Sequence, residues 1–375
     1  LAAWFIRFRA PILIFLISRV ALLGIQAIVI GMGGNAANAP WIDHWVRWDA
    51  IYYNDIAHIG YTYSPDTHTS AAFFPFYPAL VRLVSPWFGA DLALLLVSNL
   101  ALLVALIYMQ RLAEREGMGT PAQRHAALYM VGLPLGFFLG AGYAESVFLA
   151  LSIASAYHAR NEHWTPAIVL AMLATLTRVN GVLLFGVIVL EWLEKHDVTV
   201  PRLFTLGGWR AVGSALRRDG WVMCCALGIP LTLGSLSLYQ YVYFGSPLLF
   251  IEAHDSVRGQ ADLMRVVTDF MRVLRLDTIR LDLMFGAAML VLMPLLLLRA
   301  FQIRASYGWY LLISALIPLP TGLMSYMRLM GGIFPIYLAL GGLSLSGIAH
   351  AVILAMFSLL QLLGLFVFFS GGFVS

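Results

Sequence analysis

"GADLALLLVSNLALLVALIYMQ", residues 89–110, carries a single charge, Asp91. At ~1.5 Å per residue a helix of this length crosses the ~30 Å hydrocarbon layer of a bilayer. Runs of the same character recur at 11–31, 125–142, 144–159, 164–177, 179–190, 221–244, 283–298, 307–323, 331–349 and 351–369. Only 11% of the chain is charged and 61% is hydrophobic, whereas soluble domains carry roughly 25% charge. The pattern predicts an all-α, polytopic membrane protein of about eleven transmembrane or half-depth helices, a single domain over 1–375 with no detectable repeat. The first run belongs to the series, and no small-residue cleavage site follows it, so it reads as a span and not a signal peptide. Leu1 suggests that a short native start precedes this numbering.

Cys224 and Cys225 are adjacent, a spacing that rarely permits a disulfide, and are expected to pack in the core. The basic residues are scattered among the loops and fit a phosphate-tracking patch poorly, so no nucleic-acid partner is expected. They read as topology signals.

The runs 164–177 and 179–190 are each too short to cross alone. They form either one long crossing or two half-depth helices meeting at "TRVNG" (177–181). The positive-inside rule favours two. With the N-terminus cytoplasmic, the arginine-rich loops 111–124, 160–163, 195–220 and 299–306 then share the cytoplasmic side. The loops on the other side are 32–88, the turns near 143, 178 and 328, and 245–282. They hold "HWVRWDAIYYNDIAHIGY" (44–61), "YAES" (143–146), "RVNG" (178–181), "EAHDSVRG" (252–259) and "SYMR" (325–328). These polar elements are expected to converge on one face of the membrane.

Each has a bland reading beside the functional one. A helix over about 50–59, stopped by Gly60, makes Asp49 an N-cap. Alternatively, apolar rings around Asp49 tune it as a base. "AAFFPFYP" (71–78) reads as an interfacial aromatic belt. Glu145 suits the start of a helix and is a natural partner for Arg178. Arg328 has no acid near it in sequence; it either snorkels to the interface or, facing a cavity unpaired, recruits an anion, phosphate above all. Residues 262–282 place Asp262, Arg265, Asp269 and Arg272 on one face of an amphipathic surface helix. No phosphate loop, Walker motif, metal-ligand spacing or Asp-x-Asp pair occurs, which disfavours a nucleotide-sugar donor held by a cation.

The segments 47–61, "AFFPFYP" (72–78), "GYAESVF" (142–148), "TRVNG" (177–181), "YFGSPLLFIEAHDSVRG" (243–259) and "SYMRLMGGIFPIYLALG" (325–341) resemble, in order, those of the PIG-V-type mannosyltransferases of the GT-C class. Two departures stand out: Leu329 follows Arg328 where Arg-Tyr is frequent, and His254-Asp255 replaces a commoner Gln. The resemblance implies inverting transfer of mannose from a polyprenyl-phosphate-mannose donor to a glycolipid or glycan acceptor. It places the site on the non-cytoplasmic face, in the plasma membrane of a prokaryote or the endoplasmic reticulum of a eukaryote, with no metal or other cofactor. Asp49 would then be the general base, and Arg178, Arg328 and Arg258 would meet the lipid phosphate. Arg47, Trp48, Tyr143, Glu145, Asn180 and His254 would bind or orient substrate. A polyprenyl-phosphate or glycolipid transporter, or a GT-C enzyme using another sugar, is the alternative.

Overall fold

The computed structural model describes residues 2–32, 40–63, 70–252, 262–275 and 280–372. Every regular element among them is a helix. The first part of the chain runs through α1 (Ala2–Gly31), α2 (Asp49–His58), α3 (Phe76–Phe88), α4 (Ala90–Arg115) and α5 (Thr120–Gly132). The middle contains α6 (Glu145–Arg160), α7 (Trp164–Thr175), α8 (Leu184–Lys195), α9 (Leu206–Ala226) and α10 (Gly228–Phe244). The remainder comprises α11 (Leu263–Arg275), α12 (Leu281–Ile303), α13 (Ala305–Leu316), α14 (Tyr326–Gly331), α15 (Pro335–Gly341) and α16 (Gly347–Phe369).

Five stretches among the described residues are long and apolar enough to cross a bilayer unaided: Arg7–Gly31, Ala90–Arg115, Leu206–Phe244, Leu281–Ile303 and Gly347–Phe369. Their outward faces are apolar, as at Ile17 and Val20 on α1 and Leu359 and Leu363 on α16. Such surfaces are stable against lipid and not against water. The protein is an integral membrane protein.

Of the remaining runs, 144–159 forms one unbroken helix, α6, whereas three others are broken, and the sequence shows why. The run 125–142 stops as α-helix at Gly132, before Pro134. The run 307–323 stops at Leu316, before Pro318 and Pro320. The expected span 331–349 holds only one short helix, α15 (Pro335–Gly341), set between the end of α14 at Gly331 and the start of α16 at Gly347. Proline supplies no N–H and blocks the preceding turn. Buried all round, α6 and α15 behave as core elements. α4 lies along α6, α6 along α7, and α15 packs against α5 and α12.

Two expectations change. Cys224 and Cys225 are exposed on α9, whose neighbouring Val222 and Ala226 take the inward positions. "AAFFPFYP" is not an exposed belt, because Ala71, Phe74 and Tyr77 are buried. Its backbone is tied inward, with Phe76 N donating to Leu176 O at 2.9 Å.

The region 164–195 forms two short helices, α7 and α8, joined at "TRVNG". Gly181 permits the reversal, since a Cβ there would collide with the backbone of Ala174 and Thr175. Gly181→Ala is therefore expected to cost ~3 kcal/mol, the upper end for overpacking, because backbone yields less than side chain. Thermal unfolding in detergent measures this, and an unchanged midpoint would refute it.

At the end of the bundle that holds the C-terminus of α4, an unforeseen buried network gathers. Arg160 Nε lies 2.6 Å from Glu116 Oε1, and Arg304 Nε lies 2.7 Å from Glu191 Oε1. Ser306 Oγ and Tyr307 OH donate to the same two carboxylates at 2.6 and 2.7 Å. Arg160 and Arg304, expected only as loop charges, thus fasten α6 and the α12–α13 junction to α8 and to the residue that follows α4.

Candidate active site

Four charged residues, distant in sequence, meet at the opposite end of these helices. Arg328 Nη2 donates to Asp49 Oδ2 at 2.8 Å, and Arg178 Nη1 stands 2.9 Å from Glu145 Oε1. Arg328 Nε lies 3.8 Å from that same Glu145 oxygen, which links the two pairs. The formal charge of the quartet is zero. Glu145 and Arg328 are almost fully buried, whereas 31% of the Asp49 side chain and 20% of Arg178 remain exposed. Asp49 and Arg178 therefore form the open edge, with the other two behind them.

Local structure explains the placement. Asp49 is the first residue of α2. The N-cap position expected for Asp49 falls instead on Trp48, one residue earlier, and the Asp49 carboxylate is engaged by Arg328. The helix ends at His58, and Gly60 takes φ +89°, as the sequence indicated. Asp55, on the other side of α2, is exposed. Glu145 opens α6, where the helix dipole favours its charge. Arg178 sits in extended backbone between α7 and the turn Val179–Leu183. Arg328 lies in α14 and is far from unpaired, contrary to the expectation from its neighbours in sequence.

Two non-glycine residues beside this quartet have positive φ: Trp48 (+55°), next to Asp49, and Ser325 (+63°), three residues before Arg328. Such conformations cost roughly 1–3 kcal/mol each and persist where the surroundings impose them, often at functional sites. No sequence signal announces either.

Aromatic rings complete the walls. The Arg328 guanidinium lies 5.3 Å from the Phe138 ring centre and 5.5 Å from that of Tyr143. Tyr143 OH donates to Arg47 O at 2.9 Å, and Ser98 Oγ donates to Tyr143 O at 2.9 Å. Tyr143 thereby ties the α6 approach to the residue before Trp48. Burial, reinforced by Asp49, pushes its phenol well above the usual range, so it is a neutral donor. Tyr53, which sequence reasoning left unassigned, is buried one turn from Asp49. Burial and then Glu145 raise its phenol in the same way. Its position one turn beyond Asp49 on the same helical face was the available signal.

Not every expected residue joins the quartet. Arg47 contributes its carbonyl, but its guanidinium is directed to Phe368 O at 3.1 Å and to His44 Nδ1 at 3.1 Å, toward the end of α16. Trp48 is partly exposed at the rim. Asn180 stands in the turn after Arg178 and takes no part in the ion pairs. His254 and Arg258 lie outside the described residues. α11 forms as an amphipathic helix, burying Asp269, whose Oδ2 accepts from Leu323 N at 3.1 Å. It so braces the segment that leads to Arg328.

Residues 31–206 match the family model of the mannosyltransferases (PIG-V). This half of the chain is similar to the PIG-V family. The PIG-V match contains Asp49, Glu145 and Arg178, whereas Arg328 lies beyond it. A curated relative, GPI mannosyltransferase 2 of Schizosaccharomyces pombe, is 28% identical over 177 residues, covering 44% of this chain. The match spans 37% of that relative's length. Among solved structures, ArnT from Cupriavidus metallidurans bound to undecaprenyl phosphate aligns with a TM-score of 0.48 at 12% identity, covering 95% of this chain and 75% of that one. The archaeal oligosaccharyltransferase AglB from Archaeoglobus fulgidus, in complex with an inhibitory peptide and a dolichol-phosphate, aligns with a TM-score of 0.46 at 13% identity, covering 98% and 56%.

Proposed function

We propose that this protein transfers mannose from a polyprenyl-phosphate-mannose donor to a lipid-linked or glycan acceptor, with inversion at the sugar carbon. The observation that carries this reading is the convergence of Asp49, Glu145 and Arg178, all within the PIG-V match, with Arg328 from outside it.

The geometry suits a single displacement. Asp49 Oδ2 is held by Arg328, which leaves Oδ1 to take the proton of the acceptor hydroxyl. The hydroxyl oxygen bonds to the anomeric carbon as the carbon–oxygen bond to phosphate breaks. The electron pair departs with the lipid phosphate, whose charge Arg178 and Arg328 would stabilise. Glu145 holds both guanidiniums in place and so sets where that phosphate sits. Tyr143 and Tyr53 exclude water while remaining neutral. The name of the yeast relative supports mannose as the sugar, and the apolar surroundings suit a donor with a long hydrocarbon tail.

The test is transfer of radiolabelled mannose from polyprenyl-phosphate-mannose by the purified chain in detergent, with EDTA present. Labelled acceptor formed at an undiminished rate in EDTA is expected. Transfer from another polyprenyl-phosphate sugar alone would reassign the sugar. Transport of the lipid without transfer would overturn the enzymatic reading.

A further inference from the structure

At the end of the bundle remote from the Asp49–Arg328 cluster, a cleft of about 190 Å³ opens between α1, α4 and α5. This is several times the ~30 Å³ that one water occupies in the liquid. Arg7, Arg9 and Arg124 border it, together with Thr120 and Gln123. Arg7 is matched by Glu114 at 2.9 Å, an exposed pair that neutralises only one of the three charges. Among the described residues, Arg9 and Arg124 have no acidic partner within ion-pair distance. The cleft therefore carries excess positive charge.

The start of α5 adds to it independently. Its N-cap, Gly119, offers no side-chain acceptor, and its first turn contains no acidic residue. Thr120, the first residue of α5, borders the cleft, so the positive end of the helix dipole lies beside it. A cation near a helix N-terminus is unfavourable unless an anion stands between them. Among the described residues, Glu114 is the only acidic residue paired with an arginine of the cleft.

We infer that this cleft binds a phosphate-bearing anion, carried on a membrane lipid. The lining argues for the lipid: Pro11, Ile14 and Ala127 border the same cleft as the arginines. Basic and apolar residues lining one cleft at the end of spanning helices match a phospholipid headgroup with its acyl chains. This end also carries Arg111, Arg115 and Arg160, which the positive-inside rule assigns to the cytoplasm. The site is therefore distinct from the proposed transfer site and stands or falls without it.

The experiment uses the full chain in neutral detergent micelles, titrated with phosphatidylglycerol, phosphatidylcholine or inorganic phosphate, with the unfolding midpoint as readout. Saturable stabilisation by phosphatidylglycerol alone is expected. In Arg9→Gln/Arg124→Gln the half-saturating concentration should rise about thirty-fold, from the loss of two basic residues near a membrane surface. The charge-matched control Arg210→Gln/Arg217→Gln, on exposed positions of α9, should leave it unchanged. Equal half-saturation in wild type and the cleft variant would overturn the site, as would an equal loss in the control. Inorganic phosphate reproducing the full shift would overturn the lipid in favour of a free anion. If the double variant does not purify, the single variants Arg9→Gln and Arg124→Gln give the same comparison at smaller shift.

Discussion

Asp49→Asn is expected to lower the rate of mannose transfer by ~10²–10⁴-fold, the usual contribution of a positioned general base. The substitution keeps the shape of the side chain, and an amide oxygen can still accept from Arg328. What it removes is the ability to take a proton. Asp49 is the most exposed member of the quartet, so loss of its charge disturbs the fold least. Initial rates of transfer and the unfolding midpoint, measured in the same detergent, separate the two effects. Asp55→Asn is the control: Asp55 is exposed on another face of α2, and its loss should leave the rate unchanged. Near-normal turnover in Asp49→Asn would remove Asp49 from the chemistry.

The contrast between Asp49 and Asp55 was legible in the sequence, since helical periodicity separates their directions. The partner of Asp49 was not. Arg328 is 279 positions away, and periodicity says nothing about contacts at that range. Topology came closer. Alternating the sides of the spans grouped the turns at 143, 178 and 328 with the 32–88 loop, and the quartet is drawn from those four segments. Positions of the apolar runs were likewise readable, but their continuity was not. Hydropathy averages over Gly331, Gly332 and Pro335 without registering that one helix ends at Gly331 and another begins at Pro335. The ion network of Glu116, Arg160, Glu191 and Arg304 was hidden for a different reason: each member sits at a helix end, where a charge ordinarily needs no explanation. Cys224 and Cys225 misled because in a membrane protein an apolar neighbourhood in sequence does not imply an inward position.

Glu145→Gln should destabilise the protein by about 3–5 kcal/mol, the cost of breaking a buried ion pair by removing one partner. Glu145 Oε1 serves Arg178 at 2.9 Å and Arg328 at 3.8 Å, so its loss leaves two guanidiniums with one carboxylate between them. Removing Arg178 as well, in Glu145→Gln/Arg178→Met, restores the balance by leaving Arg328 paired with Asp49. Replacing both members of a buried pair is often close to neutral, so the double variant should regain much of the lost stability. Transfer should remain lost in it, because the phosphate would have no Arg178 to meet it and no Glu145 to fix Arg328. The two readouts are therefore expected to diverge. Recovery of activity together with stability would reduce Glu145–Arg178 to a structural brace and leave the leaving group to Arg328 alone. Continued inactivity in a refolded, thermally stable variant would mean that the pair is retained for what it does to phosphate, since the fold can dispense with it.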